Sequence, residues 1–151
     1  MYDTILVPVD GSDQADRAVE HAVAIAAKFD STVHVLHVVD DRGSSRAAEA
    51  VNELSRNSPE RREMQERRAE AGSELTDEAV EHARVEGVEA RAAVVEGDPA
   101  EVITDYATDE GMDLIVMGAR GRSAVGKFLL GDVAGKVARH ATTPVMLVRP
   151  E

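Results

Sequence analysis

Three glycines lie directly after the most apolar run of the chain, at positions where they could hold an anion. Gly118, Gly121 and Gly131 follow residues 113–117 and lead into a helix-like segment at residues 132–140. Glycine tolerates positive φ and lets backbone N–H groups approach an anion closely. The first turn of the following helix adds unpaired N–H donors and the positive end of its dipole. This order predicts a phosphate site, and nucleotide binding is the leading functional hypothesis.

Five short apolar runs alternate with longer helix-like stretches, and they must build the sheet that positions these glycines. The runs cover residues 4–9, 32–39, 90–95, 114–117 and 144–148. Strands that alternate with helices indicate βαβ units and a parallel sheet. The first and fourth runs are nearly continuous, as in strands covered by helices on both faces. The pattern therefore predicts an α/β fold.

Two of the predicted helices carry clear start signals. The first has an apolar face at steps of three and four residues, with Ser12 or Asp13 as the expected N-cap. This face comprises Ala15, Ala18, Val19, Ala22, Val23, Ala26 and Phe29. The helix before the fourth run opens with Asp98 and Pro99 and is expected to end at Gly111. Both helices join consecutive strands, as a parallel sheet requires.

A variable polar excursion over residues 40–73 interrupts what is otherwise a single domain spanning residues 1–151. We expect a mobile surface segment at residues 40–59, with a short helix near residues 46–54. Residues 60–86 predict one long solvated helix, because charged residues dominate it. Its expected inner face consists of Leu75, Ala79, Val80 and Ala83.

Charge and composition exclude several classes of function. The chain carries 29 acidic and 17 basic residues, a net charge of -12, and only two Tyr and two Phe. An acidic surface repels nucleic-acid phosphates and offers few rings for stacking, so nucleic-acid binding is not expected. No run approaches the about 20 apolar residues of a membrane span, and we expect no membrane association. The absence of cysteine excludes disulfide and thiolate chemistry.

The shortage of lysine indicates the setting in which the protein works. Lys28, Lys127 and Lys136 are its only lysines. A diffuse excess of carboxylates with so little lysine is typical of a halophilic, salt-accumulating cytoplasm, although an ordinary acidic bacterial protein is the alternative. The sequence opens on a strand pattern rather than on a charged and then apolar leader. We therefore expect a cytoplasmic protein.

Residues 117–133 closely resemble the nucleotide loop of the universal stress protein (UspA-like) family. In this segment Gly118, Gly121 and Gly131 are separated by two and by nine residues, which is the pattern of its ATP-binding members. Residues 5–12 are similar to the family's opening strand and acidic turn, and residues 137–148 to its closing helix and strand. The resemblance implies a flavodoxin-like (Rossmann-like) three-layer sandwich with five parallel strands in the order 3-2-1-4-5.

The resemblance also implies a nucleotide site in the crevice between strands one and four, where the strand order reverses. It assigns Pro8, Val9 and Asp10 to the nucleoside, and the backbone of Val38 to adenine. The positions expected to hold the phosphates, or to place a cation beside them, are Met117, Gly118, Arg120, Gly121, Arg122, Gly131, Asp132 and Val133. The implied cofactor is ATP, or else AMP or ADP, with or without Mg²⁺.

Asp132 departs from the family pattern, which has Ser or Thr after the last glycine in ATP-binding members. A hydroxyl donates to phosphate, whereas an ionised carboxylate only accepts. A full charge about 4 Å from a phosphate costs about 1–4 kcal/mol between the dielectrics of water and a protein surface. Asp132 could instead be the N-cap of the helix and fill the anion site itself. A divalent cation, or Arg120, Arg122 and Lys127, could offset the repulsion.

The last apolar run, from Pro144 to Val148, is expected at an edge of the sheet, where an uncovered strand invites pairing with another chain. In the family this strand pairs with its copy in a second chain, which implies a homodimer through residues 144–148. The alternative is an edge shielded by the chain's own helix. The sequence does not identify any other protein partner.

The sequence offers no clear catalytic machinery. The five histidines lack metal-ligand spacing, and His34 and His37 leave opposite faces of their strand. Ser12 and Ser123 have no recognisable base beside them. We expect a stress-response sensor or regulatory module that is at most a slow ATPase, and we disfavour a hydrolase or transferase. The alternative is a dimeric interaction module that binds no nucleotide because Asp132 repels phosphate.

Overall fold

The computed structural model describes residues 1–41, 58–120 and 130–150, and the expected short helix near residues 46–54 lies outside them. The described strands are β1 (Thr4–Pro8), β2 (Thr32–Asp40), β3 (Ala90–Gly97), β4 (Leu114–Gly118) and β5 (Val145–Val148). The described helices are α1 (Asp13–Phe29), α2 (Pro59–Val85), α3 (Pro99–Asp109) and α4 (Asp132–His140). Every strand expected from the sequence is present, with small shifts at the ends.

The strands form one parallel sheet in the order β3-β2-β1-β4-β5. The central strand, β1, pairs with β2 as far as Pro8 opposite Leu36. Its pairing with β4 is shorter and ends at Leu6 opposite Ile115. The predicted flavodoxin-like strand order is confirmed, and it reverses between β1 and β4.

Proline at position 8 explains why β1 and β4 separate early. The Asp113 N–H donates to the Thr4 carbonyl at 2.9 Å, so every second residue of β1 from Thr4 onward turns its backbone polar groups toward β4. Pro8 is one of these residues and has no N–H to donate. On the other side of the strand, the Val9 N–H still reaches the Leu36 carbonyl at 2.8 Å. A crevice therefore opens between the carboxyl ends of β1 and β4.

Helices cover both faces of the sheet, as the continuous apolar runs predicted. Side chains of β1 alternate between two cores, because Ile5 and Val7 pack against α1 and α2 while Leu6 packs against α3 and α4. All three side chains are fully buried. None of the helices in the described parts of the chain is long and apolar enough to cross a membrane.

The helix caps follow the sequence closely. Ser12 is the N-cap of α1, since its hydroxyl accepts from the Ala15 N–H at 3.1 Å. Asp98 caps α3 through the Glu101 N–H at 3.2 Å. Gly111 follows that helix with a φ of +64°, the left-handed conformation expected after a helix end. The capping signals therefore set where both helices begin.

The predicted apolar faces of α1 and α2 pack on the core, except at Phe29, and α2 buries its face less deeply than α1. Phe29 is 52% exposed and packs edge-on against the Tyr2 ring, because α1 ends there rather than continuing over the core. In α2, Leu75 and Val80 are only partly buried. The residues that α2 buries are small ones, namely Gly72, Thr76, Ala79 and Ala83. Small residues let this long helix lie close to the sheet.

Candidate functional site

The predicted site residues from separate parts of the sequence meet at the carboxyl edge of the sheet. Pro8 ends β1, and Val9 and Asp10 continue from it toward α1. Gly118 ends β4, the neighbouring strand on one side, and Val38 lies in β2 on the other. Of the remaining predicted site residues, Met117 and Arg120 flank the end of β4, while Gly131, Asp132 and Val133 begin α4. Gly121 and Arg122 lie outside the described residues.

Asp10 is held at the rim of the crevice by a turn of the backbone. Its Oδ1 accepts from the Ser12 N–H at 2.9 Å, which is the usual contact of an aspartate with the residue two positions later. Gly11 between them has a φ of +84°, a conformation that favours glycine. The carboxylate is therefore oriented before any ligand is present, and it is only partly buried.

The ends of the glycine loop are tied to each other and to the sheet. The Ala119 N–H donates to the Val148 carbonyl, and the Gly131 N–H donates to the Ala119 carbonyl, both at 2.8 Å. These bonds bring the start of α4 to the end of β4. Two of the backbone donors predicted to hold phosphate, those of Arg120 and Gly131, are engaged by the protein itself.

Gln14 is a contributor to the loop that the sequence reasoning missed. Its Oε1 accepts from the Arg120 N–H at 3.0 Å. A side chain on Gly118 would place its Cβ 2.9 Å from the Gln14 Cβ and 3.2 Å from the Arg120 carbonyl oxygen. Glycine at 118 is therefore required because the first turn of α1 lies against the end of β4. The only signal in the sequence was the position of Gln14 in that first turn.

Among the described residues, no side chain caps the backbone donors at the start of α4. Gly131 occupies the N-cap position and makes no side-chain cap hydrogen bond, and the first intrahelical bond runs from the Gly135 N–H to the Gly131 carbonyl at 2.8 Å. The helix begins at Asp132 as predicted, so the alternative in which Asp132 is its N-cap is wrong. The N–H groups of Asp132, Val133 and Ala134 have no acceptor within the helix. Asp132 itself is exposed.

The rim of the crevice is acidic. Partial desolvation, followed by the charges of Glu78, Asp13 and Asp10, raises the pKa of Asp16 above its ordinary value. Within residues 1–41, 58–120 and 130–150, no three His, Asp or Glu side chains come together as a metal site.

His34 and His37 lie on opposite faces of β2, as predicted. His34 Nδ1 lies 3.0 Å from the Tyr106 hydroxyl on the α3 side, and burial is the main cause that lowers the pKa of His34. His37 Nδ1 lies 2.8 Å from the Val9 carbonyl oxygen. Its ring faces α2, where a Cβ on Gly72 would come within 2.3 Å of it. The contact with Val9 joins His37 to the site, a role that the sequence reasoning did not foresee.

Comparisons with known proteins agree with the fold. Residues 1–149 match the model of the universal stress protein family. Universal stress protein MJ0531 of Methanocaldococcus jannaschii is 34% identical over 154 residues, which cover 99% of this chain and 83% of that protein. The structure of MJ0577, from the same organism, has a TM-score of 0.83 at 29% identity and covers 100% of this chain and 98% of that one.

A further structural relative was crystallised with a ligand. It is a universal stress protein in complex with cAMP, with a TM-score of 0.68 at 27% identity, and the match covers 98% of this chain and 97% of that one. Family model, sequence relatives and solved structures agree over nearly the whole length. The chain belongs to the universal stress protein family.

Proposed function

We propose that the chain binds an adenine nucleotide, with ATP as the principal ligand, and acts as a stress-response sensor or regulatory module. The observation that carries this proposal is the crevice where β1 and β4 separate, which the uncapped first turn of α4 adjoins. Helix N-termini at such strand reversals favour phosphate. The relative in complex with cAMP supports an adenine nucleotide as the ligand class.

The proposed pose divides the ligand between the two sides of the crevice. Adenine lies against the backbone of Val38, and the ribose lies near Val9 and the Asp10 carboxylate. The phosphates lie toward Gly118 and the first-turn N–H groups of Asp132 and Val133, with Arg120 as a nearby cation. We propose at most slow hydrolysis, because Asp10 and Asp132 are the only candidates for a base or a Mg²⁺ ligand that the sequence analysis assigns to the site.

The Asp132 carboxylate repels the phosphates in this pose, and the exposure of Asp132 sets the size of that repulsion. At about 4 Å in a water-like dielectric, one unit charge repels another by about 1 kcal/mol. Because Asp132 is exposed, the lower end of the range applies and the carboxylate weakens binding without preventing it. A Mg²⁺ ion between this carboxylate and the phosphates would turn the repulsion into attraction.

The second candidate function is a dimeric interaction module whose crevice holds no nucleotide. It is favoured by the engagement of the Arg120 and Gly131 N–H groups within the protein. The proposed dimer forms through residues 144–148, because β5 is an edge strand whose Val145, Met146 and Leu147 are only partly buried. The dimer is compatible with both candidates.

Nucleotide retained through purification separates the two candidates. We expect mass spectrometry of the small molecules released by heat to find an adenine nucleotide. Titration of the emptied protein with labelled ATP, ADP and AMP, with and without Mg²⁺ and at high KCl, should then give saturable binding. No retained nucleotide and no binding in any titration would leave only the interaction module.

We further propose that the protein works in a salt-accumulating cytoplasm. The support is the excess of 29 acidic over 17 basic residues, with three lysines. Screening of like charges predicts that the free energy of unfolding rises as KCl is added. A free energy of unfolding that is independent of KCl would remove this support.

A further inference from the structure

We infer that His37 is a positioning residue that keeps the Val38 backbone available to the base of the bound nucleotide. The inference deepens the proposed function and rests on it for the identity of the ligand. It concerns how the chain itself arranges the Val38 N–H, which is a property of the protein without a ligand.

The hydrogen-bond ladder between β1 and β2 ends at Val9, whose N–H takes part in it and whose carbonyl does not. The Val9 N–H donates to the Leu36 carbonyl at 2.8 Å. In a continued parallel ladder, the Val9 carbonyl would accept from the Val38 N–H. Within the described residues the register instead ends at Pro8 opposite Leu36, and Val9 is not part of the strand.

The imidazole of His37 takes the place of that missing backbone donor. Its Nδ1 lies 2.8 Å from the Val9 carbonyl oxygen. A carbonyl oxygen only accepts, so the Nδ1 must carry the hydrogen. The Val9 carbonyl is therefore hydrogen-bonded by the His37 side chain. The Val38 N–H and C=O point toward the crevice, and the Val38 N–H does not bond to the Val9 carbonyl.

The α2 helix keeps the imidazole in this position. Gly72 is buried against the ring, and a Cβ there would lie 2.3 Å from His37 Cδ2 and 3.0 Å from Cγ. The ring is therefore confined between the Val9 carbonyl on one side and the backbone of α2 on the other. A side chain so enclosed loses few further conformations when a ligand binds.

The released groups have the chemistry to recognise a base. One N–H donor beside one C=O acceptor on an extended strand complements an acceptor beside an amino group, which is the pattern on the edge of adenine. If the β1–β2 ladder continued, the Val38 N–H would bond to the Val9 carbonyl and could not donate to a base. His37 therefore acts on the base through Val9 and Val38, without touching the ligand itself.

Two variants of the same shape test the role of the hydrogen bond. His37→Asn keeps a nitrogen donor bonded to Cγ, whereas His37→Leu puts a methyl group there. In the protein without ligand, amide hydrogen exchange should be fast at Val38 and slow at Leu36, which lies within the ladder. We expect His37→Leu to slow the exchange of Val38 at least about tenfold, because the Val9 carbonyl then turns to the Val38 N–H, and His37→Asn to leave it fast.

Ligand affinity supplies the second measurement. His37→Leu should weaken ATP binding by about tenfold, the loss expected for one hydrogen bond to the base, and should leave binding of tripolyphosphate unchanged. His37→Asn should bind ATP within about threefold of the unaltered chain. Equal losses for ATP and tripolyphosphate would show that His37 merely supports the fold, and would overturn the inference.

The two measurements separate failure of the inference from failure of the proposed function. A Val38 amide as protected as that of Leu36 in the unaltered chain would overturn the role of His37 whatever the ligand. A chain that binds no ATP, but shows the expected exchange at Val38 in all three proteins, would overturn the proposed function and support the role of His37.

Discussion

The two sides of the crevice are built in opposite ways. On the side of β2, the His37 side chain satisfies the Val9 carbonyl at 2.8 Å in place of the next backbone donor. On the side of β4, the Gln14 side chain accepts the Arg120 N–H at 3.0 Å, so a donor of the glycine loop is occupied. One side chain therefore releases a backbone donor toward the crevice, and the other removes one.

This difference indicates which part of a bound nucleotide should contribute most to its affinity. In the proposed pose, the β2 side contacts the uncharged part of the ligand through backbone groups that the protein already holds in position. In the same pose, the β4 side offers the phosphates fewer donors than the loop motif alone suggests, and an exposed carboxylate at Asp132. Binding should depend more on the base, and less on the phosphates, than the spacing of the glycines predicts.

The largest effect is expected at Gly118, on the β4 side. In Gly118→Ala the new Cβ would lie 2.9 Å from the Gln14 Cβ and 3.2 Å from the Arg120 carbonyl oxygen. Separating α1 from the end of β4 should cost about 3 kcal/mol in the free energy of unfolding, measured by urea denaturation. Gly135→Ala is the control, because its Cβ would meet only the Arg139 guanidinium, 3.6 Å away, and it should not destabilise the protein. Equal stability of the two variants would contradict the close approach.

The next effect is expected at Gly72, on the β2 side. Gly72→Ala should cost about 2 kcal/mol in the free energy of unfolding, because the Cβ displaces the His37 ring, although the better helix propensity of alanine offsets part of the loss. The cost should shrink when the ring is removed in the double variant with His37→Ala. A double-mutant cycle from urea denaturation measures this coupling, and additive losses would mean that the two residues do not contact each other.

A smaller effect is expected at Asp132. Removing a charge about 4 Å from phosphate in a water-like environment should gain about 1 kcal/mol, so Asp132→Ser should tighten ATP binding about fivefold without Mg²⁺. The gain for AMP should be smaller, because fewer charges face the carboxylate. Isothermal titration calorimetry measures both. Unchanged ATP affinity would indicate that the carboxylate points away from the phosphates.

The smallest effect is expected at His34, which contacts neither side of the crevice. Burial, and secondly the charge of Arg91, lowers the pKa of His34 below its ordinary 6.5, against the opposing effect of Glu110. The unfolded chain therefore takes up the proton first, so this contribution to stability is complete above about pH 6.5 and is lost as the pH falls. His34→Gln should lose less stability than the unaltered chain between about pH 7 and pH 5 in urea denaturation. If both proteins lose the same stability, His34 is not the source of the pH dependence.

The sequence predicted the sheet and its helices well because each depends on local patterns. Apolar runs at strand spacing, and caps such as Ser12 and Asp98, act within a few residues. The helix faces depart from the prediction at Phe29, which is exposed, and in how deeply α2 buries Leu75 and Val80. Those positions depend on where a helix ends and how closely it approaches the sheet, which periodicity does not determine.

The candidate site could be located from the sequence but not built from it. The glycine spacing and the strand reversal were sufficient to place the crevice. The residues that were missed act across long distances in the chain: Gln14 and Arg120 are 106 positions apart, and His37 and Val9 are 28 apart. Asp132 begins α4 as predicted, but the alternative in which it caps the helix fails, because Gly131 takes the N-cap without a side chain. Contacts of this kind exist only once the strands are adjacent.

The most direct test of the account is to follow the backbone amides of the full chain by NMR while ATP is added at high KCl. The account predicts saturable shifts of the Val38, Gly118 and Val133 amides with one common dissociation constant, since they line the two sides of one site. Shifts confined to other parts of the chain, or no shifts at millimolar ATP, would contradict it.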